Sequence, residues 1–72
     1  MNSVLIHVHD SLNDRQLKEV RAALMALPYV SDVEISPGDT QNLTVEYEEH
    51  HDVPMALVRM LEKRGLHPDI AP

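Results

Sequence analysis

The apolar residues of this chain switch between two periods, two and about 3.6, in an order that leaves few folds open. Val4, Ile6 and Val8 share one face of an extended segment, with Leu5, His7 and His9 on the other, which predicts a half-buried strand. The segment from Asp10 to Asp14 reads as a loop entering a helix. Ser11 or Asn13 can cap that helix, and Asp14 suits the positive end of its dipole. Leu17, Val20, Leu24 and Leu27 then recur at helical spacing up to Pro28, with Arg15, Lys18, Glu19 and Arg21 on the opposite face. Val30, Val33 and Ile35 lead into a second strand, over about 31–36. Ser36–Pro37–Gly38–Asp39–Thr40 is a turn, and Leu43, Val45 and Tyr47 alternate with Thr44, Glu46 and Glu48 in a third strand. Asp52 can cap a second helix with Pro54 in its first turn. Val53, Leu57, Val58, Met60 and Leu61 form its apolar stripe, and Gly65 stops it. Leu66 to Ile70 predicts a short closing strand, placed at an edge by Pro68.

The order β-α-β-β-α-β predicts an α+β ferredoxin-like sandwich. Two right-handed crossovers put both helices on one face of a four-stranded antiparallel sheet of spatial order 4-1-3-2. The other sheet face is left open. A chain of 72 residues accommodates this as one domain, residues 1–72.

Composition narrows the chemistry. There is no cysteine, which excludes disulfides, a thiol nucleophile and any thiolate metal site. With no Phe or Trp, the core is expected from Val, Leu, Ile, Met and Ala, with Met25, Met55 and Met60 in or near it. A net charge of −6 argues against a nucleic-acid or anionic-membrane partner. An aromatic stacking pair for RNA is missing as well. No apolar run is long enough to insert in a membrane. The start Met1–Asn2–Ser3 has no basic leader region, so the expected compartment is the cytoplasm. No nucleophile elbow or phosphate loop stands in the sequence, so no enzyme is expected.

Three stretches carry a more specific likeness. They are Leu24–Met25–Ala26–Leu27–Pro28–Tyr29–Val30–Ser31–Asp32–Val33–Glu34–Ile35, then Leu43–Thr44–Val45–Glu46–Tyr47, then Leu57 through Gly65–Leu66. In their spacing the chain resembles the heavy-metal-associated domain family, the small copper chaperones and the N-terminal domains of metal-transporting P-type ATPases. The resemblance covers nearly the whole chain. It implies a metal-binding role, but its CxxC pair falls on Asn13–Asp14–Arg15–Gln16, where both thiols are missing. The family's Cu(I) site therefore does not carry over, because thiolates select Cu(I). Pro28–Tyr29 also stands where the family has a Gly-containing turn.

Five histidines are the compositional anomaly. His7 and His9 point the same way from the first strand, their Cβ atoms about 7 Å apart. Antiparallel pairing brings His67, at the start of strand four, beside the end of strand one. That is the end of the sheet where the family binds metal. Asp10 is adjacent, and Glu46 or Asp69 can share the face. Imidazole with carboxylate suits Zn(II), Cu(II), Ni(II) or Co(II) rather than Cu(I). The expectation is a divalent metal held by His7, His9 and His67, in metal sensing, buffering or delivery. The alternative is a metal-free interaction module whose open sheet face, with Leu5 exposed, pairs with a partner protein or a second copy. His50–His51 is expected at the opposite end of the sheet as an exposed pair.

Overall fold

A computed structural model describes residues 2–50 and 52–70. Six elements follow the expected order: β1 (Asn2–Val8), α1 (Asp14–Met25), β2 (Val30–Ile35), β3 (Asn42–Tyr47), α2 (Val53–Lys63) and β4 (Pro68–Ile70). The sheet order is β2-β3-β1-β4, with every neighbouring pair antiparallel. This is the ferredoxin-like arrangement read from the periodicity. β4 is shorter than expected, because His67 lies just outside it and Pro68 opens it.

Apolar faces meet in one layer between sheet and helices. Ile6 and Val8 of β1, Val33 of β2, and Leu43 and Val45 of β3 pack against Val20 and Leu24 of α1 and Val53, Leu57 and Leu61 of α2. All are buried, and no aromatic residue is among them. Met25 and Met60 pack against this cluster, but Met55 does not: it is 51% exposed. The expectation for Met55 fails because the buried stripe of α2 runs through Val53, Leu57 and Leu61, and position 55 faces away from it.

Helix termini follow the sequence unevenly. Asn13 caps α1 through a capping box with Gln16. The Gln16 amide donates to Asn13 Oδ1 (2.8 Å), and the Asn13 amide donates to Gln16 Oε1 (3.0 Å). Ser11 therefore has no capping role, since only Asn13 has Gln three residues on. Replacing Asn13 by alanine is expected to cost about 1 kcal/mol, read as a lowered urea midpoint at unchanged slope. Asp52 occupies the N-cap of α2, but its backbone is αR and its side chain makes no cap hydrogen bond. Pro54 instead provides the fixed φ of the first turn.

Two further features shape the surface. Arg21 of α1 reaches the outer edge of β2, where its Nε donates to the Val33 carbonyl (3.0 Å) and a guanidinium nitrogen meets Asp32 (3.3 Å). A charged side chain on an edge strand deters pairing with another chain. Tyr29 has a left-handed backbone (φ 71°), the conformation that glycine adopts most easily. Its ring stacks on His50, centroids 4.4 Å apart. Such contacts offset the roughly 1–2 kcal/mol that the backbone costs.

Candidate metal site at the β1–β4 end of the sheet

The open face is set by register. His7 lies directly opposite Asn42 of β3 and Asp69 of β4. Opposite residues of an antiparallel pair share a face. One step further along, the His9 amide donates to the His67 carbonyl (3.0 Å), so His67 flanks β1 from the β4 side. The three histidines thus gather at one end of the sheet, in the order the pairing predicts. Asp69 shares that end. Glu46 shares the open face, as expected, but lies opposite Ser3, at the other end of β1.

Each imidazole has a defined partner. His7 Nδ1 lies 2.9 Å from Asn42 Oδ1. The orientation of that amide is fixed from behind, because Asn42 Nδ2 donates to Asp39 Oδ2 (2.7 Å). His9 Nε2 meets Asp69 Oδ2 at 2.5 Å. His67 Nδ1 lies 3.1 Å from Asp10 Oδ1, and the His67 amide donates to Asp10 Oδ2 (2.7 Å). The His7 and His9 rings meet edge to face, with centroids 4.8 Å apart. His7 is half-buried, whereas His9 and His67 are exposed. Among the described residues no three His, Asp or Glu side chains are already drawn together as a ligand set.

Asp10 is the titrating group whose environment acts on it most clearly. The His67 backbone N–H, and after it the His67 side chain, hold its carboxyl below the usual carboxylate range. A carboxyl lowered in the folded state stabilises the fold above its unfolded value, near pH 4, and loses that contribution as pH falls through the folded value. The wild type is therefore expected to melt above an Asp10→Asn variant near neutral pH, and the difference to shrink as pH falls below about 4 and Asp10 protonates. Melting temperatures across the acid range check this, and parallel curves would remove Asp10 from the account.

The loop where the family places its thiols does something else here. Asn13 and Gln16, the two positions on which the resemblance places the cysteine pair, are the two partners of the capping box of α1. Their polar groups satisfy each other's backbone, so the first turn of α1 closes with local hydrogen bonds. An Asn-x-x-Gln signature ahead of an apolar helix is legible in the sequence. The sequence does not point to Asn42 and Asp39 as neighbours of His7. No local pattern marks them, since only the register of β3 on β1 brings them beside His7.

The opposite end of the sheet holds His50, stacked on Tyr29 beside a hollow of about 140 Å³ lined by Leu27, Pro28, Val53 and Ala56. His51 lies outside the described residues. A hollow of about 390 Å³ between α1 and α2, lined by Leu12, Gln16, Val20, Lys63, Arg64 and Leu66, includes none of the three site histidines.

Solved structures with this architecture bear directly on the resemblance. The yeast copper transporter domain Ccc2a superposes with a TM-score of 0.85 over 100% of this chain and 97% of that one, at 21% identity. Oxidized MerP from Ralstonia metallidurans CH34 superposes at 0.84 over 99% and 97%, at 15% identity. The N-terminal domain of PacS from Synechocystis PCC6803 gives 0.83 over 100% of both chains, at 15% identity. No protein-family model matches the sequence, and no curated protein matches it. The chain thus has the fold of heavy-metal-associated domains along its whole length and lacks their cysteine pair. Among the described residues no helix is long and apolar enough to cross a membrane.

Proposed function

We propose that this chain binds one divalent transition metal ion through the imidazoles of His7, His9 and His67, and serves in metal sensing, buffering or delivery rather than in catalysis. Zn(II), Cu(II), Ni(II) and Co(II) are the metals an imidazole set suits. One observation carries the reading. Three imidazoles flank the β1–β4 end of the sheet, each with one ring nitrogen held by a side-chain oxygen. Metal-ligating histidines are held in this way by their outer partners. Within the set, His7 and His9 have ring centroids 4.8 Å apart, close to the spacing of about 5 Å that two imidazoles take on one metal with metal–nitrogen bonds of about 2 Å; binding would have to draw in the third ligand. Support also comes from structures of the same fold. Ccc2a was solved in a Cu(I)-loaded state, and another is a copper-binding domain of the P-type ATPase HMA7.

The test is calorimetric titration of tag-free protein with each of the four metals, at about pH 7.5 and again at about pH 5.5. One equivalent bound at the higher pH and lost at the lower supports the reading, because protonated imidazole cannot ligate. Absence of binding by all four metals sinks it.

A second reading, a protein-interaction module, rests on the charge of the open face. None of the four strands carries Lys or Arg; all six cations lie on α1, on α2 or at its C-cap. Leu5 is 39% exposed on the open face, opposite Thr44, which in turn faces Glu34. Stacking two such faces in a symmetric dimer brings carboxylates together, so a distinct partner fits this reading better than a second copy. Light scattering separates the cases. A metal-independent dimer at low salt contradicts the charge argument, and a monomer is the expected state.

A further inference from the structure

The turn between α1 and β2 carries an aromatic residue where the backbone disfavours one. Leu27–Val30 closes with the Val30 amide donating to the Leu27 carbonyl (3.4 Å), with Pro28 at the second position and Tyr29, at φ 71°, at the third. That is the pattern of a type II turn, whose third position selects glycine. A tyrosine there strains the backbone, and strain of this kind gathers at sites of function. The ring does not repay it by entering the core, since Tyr29 is 48% exposed. It lies instead against the His50 imidazole, 16° from parallel. The Glu48 amide donates to the Tyr29 carbonyl (2.8 Å), which ties the loop after β3 to the same turn. The ring is thus held at the surface in one orientation.

His50 is a wall of two hollows. One, of about 140 Å³, is lined by Leu27, Pro28, Tyr29, Val53 and Ala56, with Asp52 at its rim. An apolar cavity of about 150 Å³ takes up a benzene-sized group, so this hollow has room for one apolar side chain. The other, of about 220 Å³, is lined by Asn2, Tyr47, Glu49 and Pro54. A carboxylate beside an aromatic ring suits an ammonium or guanidinium group. The surrounding charge has the same sense: Glu48, Glu49 and Asp52 stand in this loop, and no Lys or Arg occurs between Arg21 and Arg59. We propose that this corner docks an extended segment of a basic partner protein. An apolar side chain enters the hollow beside Tyr29, and a Lys or Arg two residues away meets Glu49 and Tyr47. Alternate side chains of an extended segment lie on one face about 7 Å apart, which lets them straddle a single imidazole ring. A ring already held by stacking loses little freedom when the partner binds. The surface is at the opposite end of the sheet from His7, His9 and His67, needs no metal, and is distinct from the open face that carries Leu5.

The test is selection of a displayed library of random linear heptapeptides against the whole chain, as wild type and as Tyr29→Gly. The wild type is expected to enrich peptides with an apolar residue two positions from Lys or Arg, and Tyr29→Gly to enrich no such pattern. The enriched peptide, titrated into 15N-labelled wild type at low salt, is expected to shift the amides of Leu27, Tyr29, His50, Val53 and Ala56. Tyr29→Gly is expected to weaken that peptide at least about 10-fold, as loss of an aromatic anchor does. It is also expected to melt within about 5 °C of the wild type, because glycine relieves the backbone that the lost ring contact had offset. Glu49→Gln is expected to weaken the peptide about 2–5-fold, the worth of an exposed ion pair. Glu62→Gln makes the same change of charge at the far end of α2 and is expected to leave the affinity unchanged.

No enriched pattern on the wild type, or the same pattern on Tyr29→Gly, overturns the docking corner. Amide shifts confined to Leu5, Glu34 and Thr44 put the peptide on the open sheet face and overturn it as well. Equal weakening by Glu49→Gln and Glu62→Gln reduces the cation to an effect of net charge and overturns the role of Glu49. A Tyr29→Gly variant that melts far below the wild type assigns the ring a structural role, and the shift map with the two glutamate variants then decides. None of these outcomes turns on metal, so failure here leaves the histidine reading to its own titration.

Discussion

Replacing His7, His9 and His67 together by alanine is expected to abolish binding of divalent metal, by more than about 100-fold, and to leave the fold intact. The loss should exceed the 10–100-fold cost of disturbing an outer shell, because the ligands themselves are removed. The fold should survive because none of the three is in the core: His9 and His67 are exposed and His7 is half-buried. Surface substitutions of this kind usually change stability by no more than about 0.5 kcal/mol each. The side chains of His9 and His67 do tie β1 to β4 through Asp69 and Asp10, so a small drop in melting temperature is part of the expected result. Calorimetric titration beside thermal unfolding checks both halves. Unchanged affinity in the triple variant would rule out this end of the sheet as a metal site.

Leu57→Ala is the substitution expected to damage the fold most. Leu57 is fully buried at the centre of α2's apolar stripe, among Leu61 and Val53 of its own helix and the sheet residues beneath. Truncation removes the transfer free energy of three carbons and leaves a cavity, at a cost of about 3 kcal/mol. A domain of this size holds only about 4–11 kcal/mol in total, so the loss is a large share. It should appear as a fall in melting temperature of about 10–20 °C. A fall of less than about 3 °C would mean that the layer between sheet and helices is not sealed. The histidine variant is expected to lose metal binding without unfolding, and Leu57→Ala to lose stability without touching the three histidines.

Most of the scaffold is legible in the sequence. The stripe Leu17, Val20, Leu24 faces the core, as its spacing required. Pro68 lies at the start of the edge strand. Leu5 is exposed on the open face. Failures came where two local rules competed. Asp52 looked like a side-chain cap, but its αR backbone makes no cap bond. Met55 looked like core by residue type, but the helical phase of Val53, Leu57 and Leu61 turns it outward. Tyr29 in a left-handed conformation could not be read from residue preference, which opposes it. Its ring contact with His50 belongs to the tertiary fold.

The sequence by itself determined the order of elements, the layer between sheet and helices, the open sheet face and the end of the sheet at which three histidines lie. Those follow from periodicity, and periodicity is a local property of the chain. Only the tertiary structure decided what each histidine does at that end. His7 meets Asn42 across 35 positions of sequence, His67 meets Asp10 across 57, and His9 meets Asp69 across 60. A hydrogen bond forms within a few tenths of an ångström or not at all, whereas a strand pattern specifies only the face on which a side chain lies. Sequence could therefore bring imidazoles and carboxylates to one place. Register and side-chain geometry then decided which oxygen each imidazole meets.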